Sequence, residues 1–364
     1  MISMIPVLER GYTFWDRSML PSDEFEERTR TAQAMMAQED LDALLVWSQS
    51  YHSNGDLAWL SGWPMAGGLV VRRDGEPTMF SPGGGRELYF QRMQTWLNDI
   101  RSVPGSVGKG IAALISENGV SHGRIGVIGR HLMSKGGLRD LDEHLGGYTL
   151  VEAGDAYSAM RAAKRPREIL AARAALVIAE AAVQAGQDAY DGGASNAEAM
   201  VAAERVARLH GARDWRCLAN LTGRGLRPFE RLGSERQERL RLWVAVDQSG
   251  YWAHSSTPGA AAGTANRALD AMIACAGAGA RGGDVAEAGL AVLGAEDKEA
   301  ALSYGLGSGI GLDLEEAPAI VPGSAAVLVK GGLLALRVVT SGALDLATAM
   351  VEIGGDTGRR IVAS

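Results

Sequence analysis

Only two cysteines, Cys217 and Cys275, occur in 364 residues. That excludes a disulfide framework, and both thiols, set among apolar or small residues, read as free and buried, as suits a reducing compartment. Long apolar runs are also missing. The N-terminal stretch MISMIPVLERGYTFWDRS lacks the apolar centre of an export signal, and no later stretch approaches eighteen apolar residues without a charge. Neither a signal peptide nor a membrane span is therefore expected, and the expected location is the cytoplasm. Positive charge is short as well: 36 Lys and Arg stand against 43 Asp and Glu, a net −7. No basic stripe is available to neutralise phosphates, which argues against nucleic acid as the main partner. The glycine run from Gly305 to Gly311 imitates a phosphate loop. It lacks the Lys-Ser/Thr ending and the GxGxxG spacing that would cradle a nucleotide, so no cofactor is expected. What remains is ordinary globular material, 46% hydrophobic and 22% charged, long enough for two domains.

The first half alternates helices and strands. Asp23 and Glu26 have capping-box spacing for a helix reaching about Gln38. A buried strand follows at 41–47. Runs 68–71 and 77–80 flank Arg73-Asp74-Gly75-Glu76, a hairpin signal. A strand at 124–128, a helix at 138–145 and a strand at 149–151 complete an α/β domain, residues 1–160. The polar segment 161–168 then reads as a linker, with Pro166 in the first turn of a long Ala-rich helix at 168–190. Ser195 and Glu198 form a second capping box for a helix to about His210. Strands at 240–246 and 251–256 meet at the turn Asp247-Gln-Ser-Gly250. Helices at 264–278 and 285–293 lead through Gly-rich sequence into strands around 325–329, 333–339 and 349–353. Residues 161–364 thus form an α+β second domain.

Four segments carry a family likeness. They are Lys164-Arg-Pro-Arg-Glu-Ile169, Gly250-Tyr-Trp-Ala-His254, the stretch from Gly307-Ser-Gly-Ile-Gly311 through Glu315-Glu316-Ala-Pro318, and Gly331-Gly-Leu-Leu-Ala-Leu-Arg337. In this order, and with a weaker match at Asp56-Leu-Ala-Trp-Leu-Ser-Gly62, the chain resembles the pita-bread superfamily of creatinase, aminopeptidase P, prolidase and methionine aminopeptidase. The resemblance implies an α/β creatinase-like N-terminal domain followed by an α+β pita-bread C-terminal domain. It also implies a homodimer in which the N-terminal domain of one chain covers the pocket of the other.

The metal enzymes of that superfamily hold two divalent ions with two Asp, one His and two Glu, and a bridging water becomes the nucleophile. At the matching positions this chain has Trp243 (or, with a shortened hairpin, Asp247), His254, Ser308, Arg337 and the neighbourhood of Leu346 and Asp345. A permanent cation at the centre of such a site repels metal, so no metal is expected. Creatinase itself works without metal, but the position of its catalytic histidine falls on or near Glu230, and a second family histidine falls on Glu315.

The expected pocket therefore collects His254, Glu315 and Glu230 as acid/base groups. Arg337, Ser308, Glu316, Trp243 and Tyr251 are the expected substrate contacts. Such a set suits metal-independent C–N bond hydrolysis on a small amino-acid-like or amide substrate. Two other readings stay open: a non-hydrolytic lyase, dehydratase or cyclase of secondary metabolism, and an inactive ligand- or peptide-binding module. Each residue also has a plain structural reading. His254 could be a hydrogen-bonded core histidine, Arg337 with Glu315 or Glu316 an ion pair filling a vacated site, Ser308 a turn residue, and Tyr51, Trp59 and Trp63 core or dimer contacts.

Overall fold

The computed structural model describes residues 16–48, 55–63, 66–81, 85–117, 122–221, 225–228, 236–259, 263–341 and 345–363. The chain divides into two compact units, Met1–Arg161 and Ala162–Ser364.

In the first unit α1 (Ser22–Gln38) precedes β1 (Ala43–Ser48), α2 (Gly55–Ser61), β2 (Gly67–Arg72) and β3 (Thr78–Ser81). Next come α3 (Gly85–Gln94), β4 (Ile100–Ser102), α4 (Val107–Glu117), β5 (Arg124–Ile128), α5 (Lys135–Leu145), β6 (Thr149–Glu152) and α6 (Gly154–Ala162). The strands form one mixed sheet in the order β4-β3-β2-β1-β5-β6. The expected hairpin is the antiparallel β2–β3 pair, and β5 lies parallel to β1. The capping box expected at Asp23 does not form: the N-cap of α1 is Pro21, two residues earlier, and it makes no side-chain bond. Trp59 and Trp63 are buried core residues, whereas Tyr51 lies outside the described residues.

The second unit opens with α7 (Pro166–Asp191) and α8 (Asn196–Leu209). Pro166 sits in the first turn of α7, where its missing N–H leaves no helical bond unmade. Ser195 and Glu198 close the expected capping box on α8. By length and composition α7 could cross a membrane, yet half of its apolar window is buried. Ala172, Ala175, Leu176 and Ala179 of α7 join the main core beside α8 and the strand pair β8 (Leu242–Gln248) and β9 (Tyr251–Ser256). Together with β7 (Asp214–Ala219), those strands make a three-stranded antiparallel sheet.

A five-stranded antiparallel sheet follows, in the order β11-β10-β12-β13-β14. It comprises β10 (Gly307–Gly309), β11 (Glu316–Ala319), β12 (Leu333–Val339), β13 (Leu346–Ile353) and β14 (Gly358–Arg360). Alternation along β12 splits its side chains between two cores. Leu334, Leu336 and Val338 pack in the core with α9 (Thr264–Cys275) and α10 (Gly282–Ala291). Leu333, Ala335 and Val339 face the core of α7 and α8. Arg337 occupies this second face, a register position that packing alone would give to an apolar residue.

Two expectations for this unit need correction. A helix, α11 (Ala295–Tyr304), stands where only Gly-rich sequence had been read. Residues 325–329 make a single isolated bridge, Arg281 to Val327, and no strand.

Candidate functional site

β12, β8 and α11 converge on a cavity of about 120 Å³. Its apolar walls are Leu218, Leu226, Leu314, Val339 and Leu346, and its polar residues are Trp243, Tyr304, Glu315 and Arg337. Cavities of roughly 150 Å³ hold a benzene-sized molecule, which sets the scale of any occupant.

Arg337 is held from behind. Its Nε donates to the carbonyl oxygens of Tyr304 (2.9 Å) and Gly305 (3.1 Å), at the C-terminal end of α11. These orphan carbonyls carry the partial negative charge of a helix terminus, which suits a cation. The Trp243 ring lies 6.0 Å from the guanidinium carbon. Glu315 Oε1 accepts a longer bond from Nη2 at 3.3 Å, and its side chain is 66% exposed against 19% for Arg337. The Tyr304 hydroxyl is already engaged, accepting from the backbone N–H of Leu226 at 2.8 Å.

His254 lies behind this wall and does not line the cavity. The indole Nε1 of Trp243 donates to His254 Nδ1 at 3.2 Å. Because an indole N–H can only donate, Nδ1 must be the unprotonated nitrogen. Nε2 then carries the proton and donates to the Ala349 carbonyl at 3.2 Å, tying β9 to β13. Burial, joined by the nearby Arg337 charge, pulls the imidazole down to about 4 against the opposing effect of the Ala349 bond. Both nitrogens are engaged and the ring stands outside the cavity, so the structure places His254 as a buried link between β8, β9 and β13 and not among the lining groups where an acid/base role was expected.

Other expected contacts also separate from the cavity. Tyr251 projects from the α7 side of β9, where its buried hydroxyl donates to Glu168 Oε1 at 3.1 Å. Glu316 pairs with Lys164, and its Oε1 accepts the N–H groups of Leu312 (2.9 Å) and Asp313 (3.2 Å), fixing the turn before β11. Ser308 is a strand residue, not a turn residue. It sits opposite Ala335, on the same face of the sheet as Arg337, with its buried Oγ making no hydrogen bond among the described residues and lying outside the cavity lining. Glu230 lies outside the described residues. Of the eight expected site residues, the cavity therefore gathers Trp243, Glu315 and Arg337.

Asp247, the other occupant considered for the Trp243 position, is fully buried in an ion pair with Arg213 and accepts the Gly250 N–H at 2.8 Å. Burial pushes its carboxyl up despite that arginine. Sequence reading missed Tyr304 and Gly305 because it missed α11. The signal was present: Glu296 and Asp297 fall in the first turn, and Gly305, at φ +73°, ends the helix.

A pair of divalent ions does not fit these donors. Trp243 offers an N–H where a carboxylate would be needed, both His254 nitrogens are used, and Arg337 fills the centre with positive charge. Among the described residues, no three His, Cys, Asp or Glu side chains converge as an ion-binding group.

An α/β unit followed by an α+β unit, the second built on antiparallel sheets packed with helices, is the pita-bread architecture. Residues 28–163 match the Creatinase/Prolidase N-terminal domain family. No curated protein sequence matches the chain. Among solved structures, the X-Pro aminopeptidase of Thermotoga maritima is similar, with a TM-score of 0.74 at 15% identity over 91% of this chain and 96% of that one. Dipeptidase PepE of Mycobacterium ulcerans gives 0.70 at 19% identity, over 93% and 96%. The N-terminal domain of the FACT complex subunit SPT16 from chickpea gives 0.66 at 16% identity, over 94% and 96%. Residues 28–163 thus carry the Creatinase/Prolidase N-terminal domain, and the whole chain shares the pita-bread fold, which hosts proteins titled as peptidases and one titled as a subunit of a complex.

Proposed function

We propose that this chain binds a small anionic, amino-acid-like or amide ligand in the Trp243–Arg337 cavity, without a dinuclear metal centre. The observation that carries the proposal is Arg337: a guanidinium anchored by two backbone carbonyls at an inward-facing position of β12 and lining the cavity. An arginine so fixed recognises an anion with little further loss of side-chain freedom. The test is a titration of small carboxylates and amides against the whole chain, with metal content measured by plasma mass spectrometry after purification without chelator. Saturable binding that Arg337→Met removes, with metal far below one ion per chain, supports the proposal. A stoichiometric ion at these residues overturns it.

A second reading, C–N hydrolysis in the manner of creatinase, draws support from one feature, the Glu315 carboxylate at the cavity beside Arg337. It has to run without the His254 imidazole. Hydrolysis adds the mass of water to the products, whereas elimination by a lyase does not, so product masses distinguish the two. Turnover that survives Glu315→Gln removes the hydrolytic reading. A homodimer and a cytoplasmic location belong to the same proposal, checked by light scattering and by cell fractionation.

A further inference from the structure

We propose that the ligand of this cavity is a monocarboxylate with an uncharged apolar body, and that Glu315 is a built-in competitor for the guanidinium edge that such a ligand takes. This deepens the proposal above and presupposes that the cavity is the functional site.

The five N–H groups of Arg337 divide into two edges. The Nε side is consumed by the Tyr304 and Gly305 carbonyls. At the far end, Nη2 meets only Glu315, at 3.3 Å, and Nη1 has no partner among the described residues. Two N–H groups side by side are the fork that a carboxylate accepts in bidentate fashion. The remaining polar groups of the lining do not compete. The Tyr304 hydroxyl is taken by Leu226, and the Trp243 indole N–H is taken by His254.

Size and polarity narrow the ligand further. About 120 Å³ walled by five aliphatic side chains and an indole suits a body of benzene or isobutyl size, with no second charge. Inorganic phosphate would leave those walls unfilled and would bring a second negative charge to a lining with one cation. Among the described residues Glu315 is the single carboxylate in the lining, and two-thirds of its side chain is in water. An ion pair that exposed is weak and opens readily, so an incoming carboxylate displaces it. The same weakness bounds the effect of removing it.

The experiment is calorimetric titration of the full chain with benzoate and 4-methylpentanoate, their primary amides, and inorganic phosphate. Wild type, Glu315→Gln, Arg337→Met and Arg337→Lys are compared, with circular dichroism melts confirming that each variant folds. The expected result is saturable carboxylate binding, amides at least about tenfold weaker, as loss of a charge-assisted bidentate pair implies, and no phosphate binding. Glu315→Gln should bind the acids about two- to fivefold more tightly. Arg337→Lys, which keeps the charge and loses the fork, should weaken the acids about tenfold or more. Amides binding as tightly as acids would overturn the carboxylate assignment. Unchanged or weaker acid binding in Glu315→Gln would overturn the competitor role. Either result, with binding still abolished by filling the cavity through Leu346→Trp, leaves the small-ligand proposal standing. Failure of every acid and amide to saturate both wild type and Glu315→Gln overturns both proposals together.

Discussion

At the scale of single residues, the chemistry of this molecule turns on which hydrogen bonds are already spent. His254 was the natural candidate for a proton-transfer group, but an indole donor on one side and a carbonyl acceptor on the other hold it neutral. That has a measurable sign. Its folded value of about 4 lies below the 6.5 of the free side chain, so between those limits the unfolded chain takes up a proton that the folded chain refuses. The contribution of His254 to stability is complete above about pH 6.5 and is lost as the pH falls toward 4, by up to about 3 kcal/mol at 1.4 kcal/mol per pH unit. Urea midpoints at pH 7.5 and pH 5 should fall in wild type and fall less in His254→Gln, which can donate and accept but does not titrate. Equal losses in both proteins would place the pH dependence elsewhere. Trp243→Phe removes the donor and leaves Nδ1 buried without a partner, a cost of about 1–3 kcal/mol in the same urea assay.

At the scale of elements, local sequence rules hold wherever a single element satisfies them. Ser195 accepts the Glu198 N–H and Glu198 reaches back to the Ser195 backbone, closing the start of α8. Ser195→Ala should therefore cost about 1 kcal/mol, read as a lower denaturation midpoint with unchanged slope. β10 obeys a different logic. Its three residues, Gly-Ser-Gly, have no strand-forming pattern, yet they are clamped between β11 and β12. Gly307 has φ +141°, and a Cβ there would come within 2.3 Å of the Ala335 carbonyl oxygen. Gly307→Ala should destabilise the chain by more than about 2 kcal/mol, because strain and a backbone clash add, and the thermal midpoint should drop accordingly. A midpoint within a degree of wild type would show that β10 can shift at little cost.

At the scale of the whole molecule, the relevant question is what neutralises the centre of the second unit. Around the cavity the chain places a guanidinium, two helix-terminal carbonyls and a carboxylate, all of which fold with it. A ligand that binds only the native state raises the melting temperature by mass action. Removing a metal that is not part of the fold should then change nothing. Thermal melts with and without excess EDTA are expected to coincide, and a clear drop on chelation would show that a metal ion is part of the native state.

The sequence by itself determined the two-unit organisation, most helix and strand positions, the Pro166 and Ser195 helix starts, and the superfamily likeness. These follow from periodicity, capping and motif order, which act over a few residues. It also determined that a cation, Arg337, stands where the likeness implies a ligand of metal. Only the tertiary structure decided which neighbouring groups each candidate meets. His254 and Tyr251 are separated by three positions on one strand, yet each is consumed by a different partner, Trp243 or Glu168, across the fold. Trp243 lines the cavity, whereas Asp247, four positions along the same strand, is held by Arg213. Alternation along a strand says which residues share a face, but the partner across that face is set by the packing of distant elements, and that partner decides whether a polar group is spent or available.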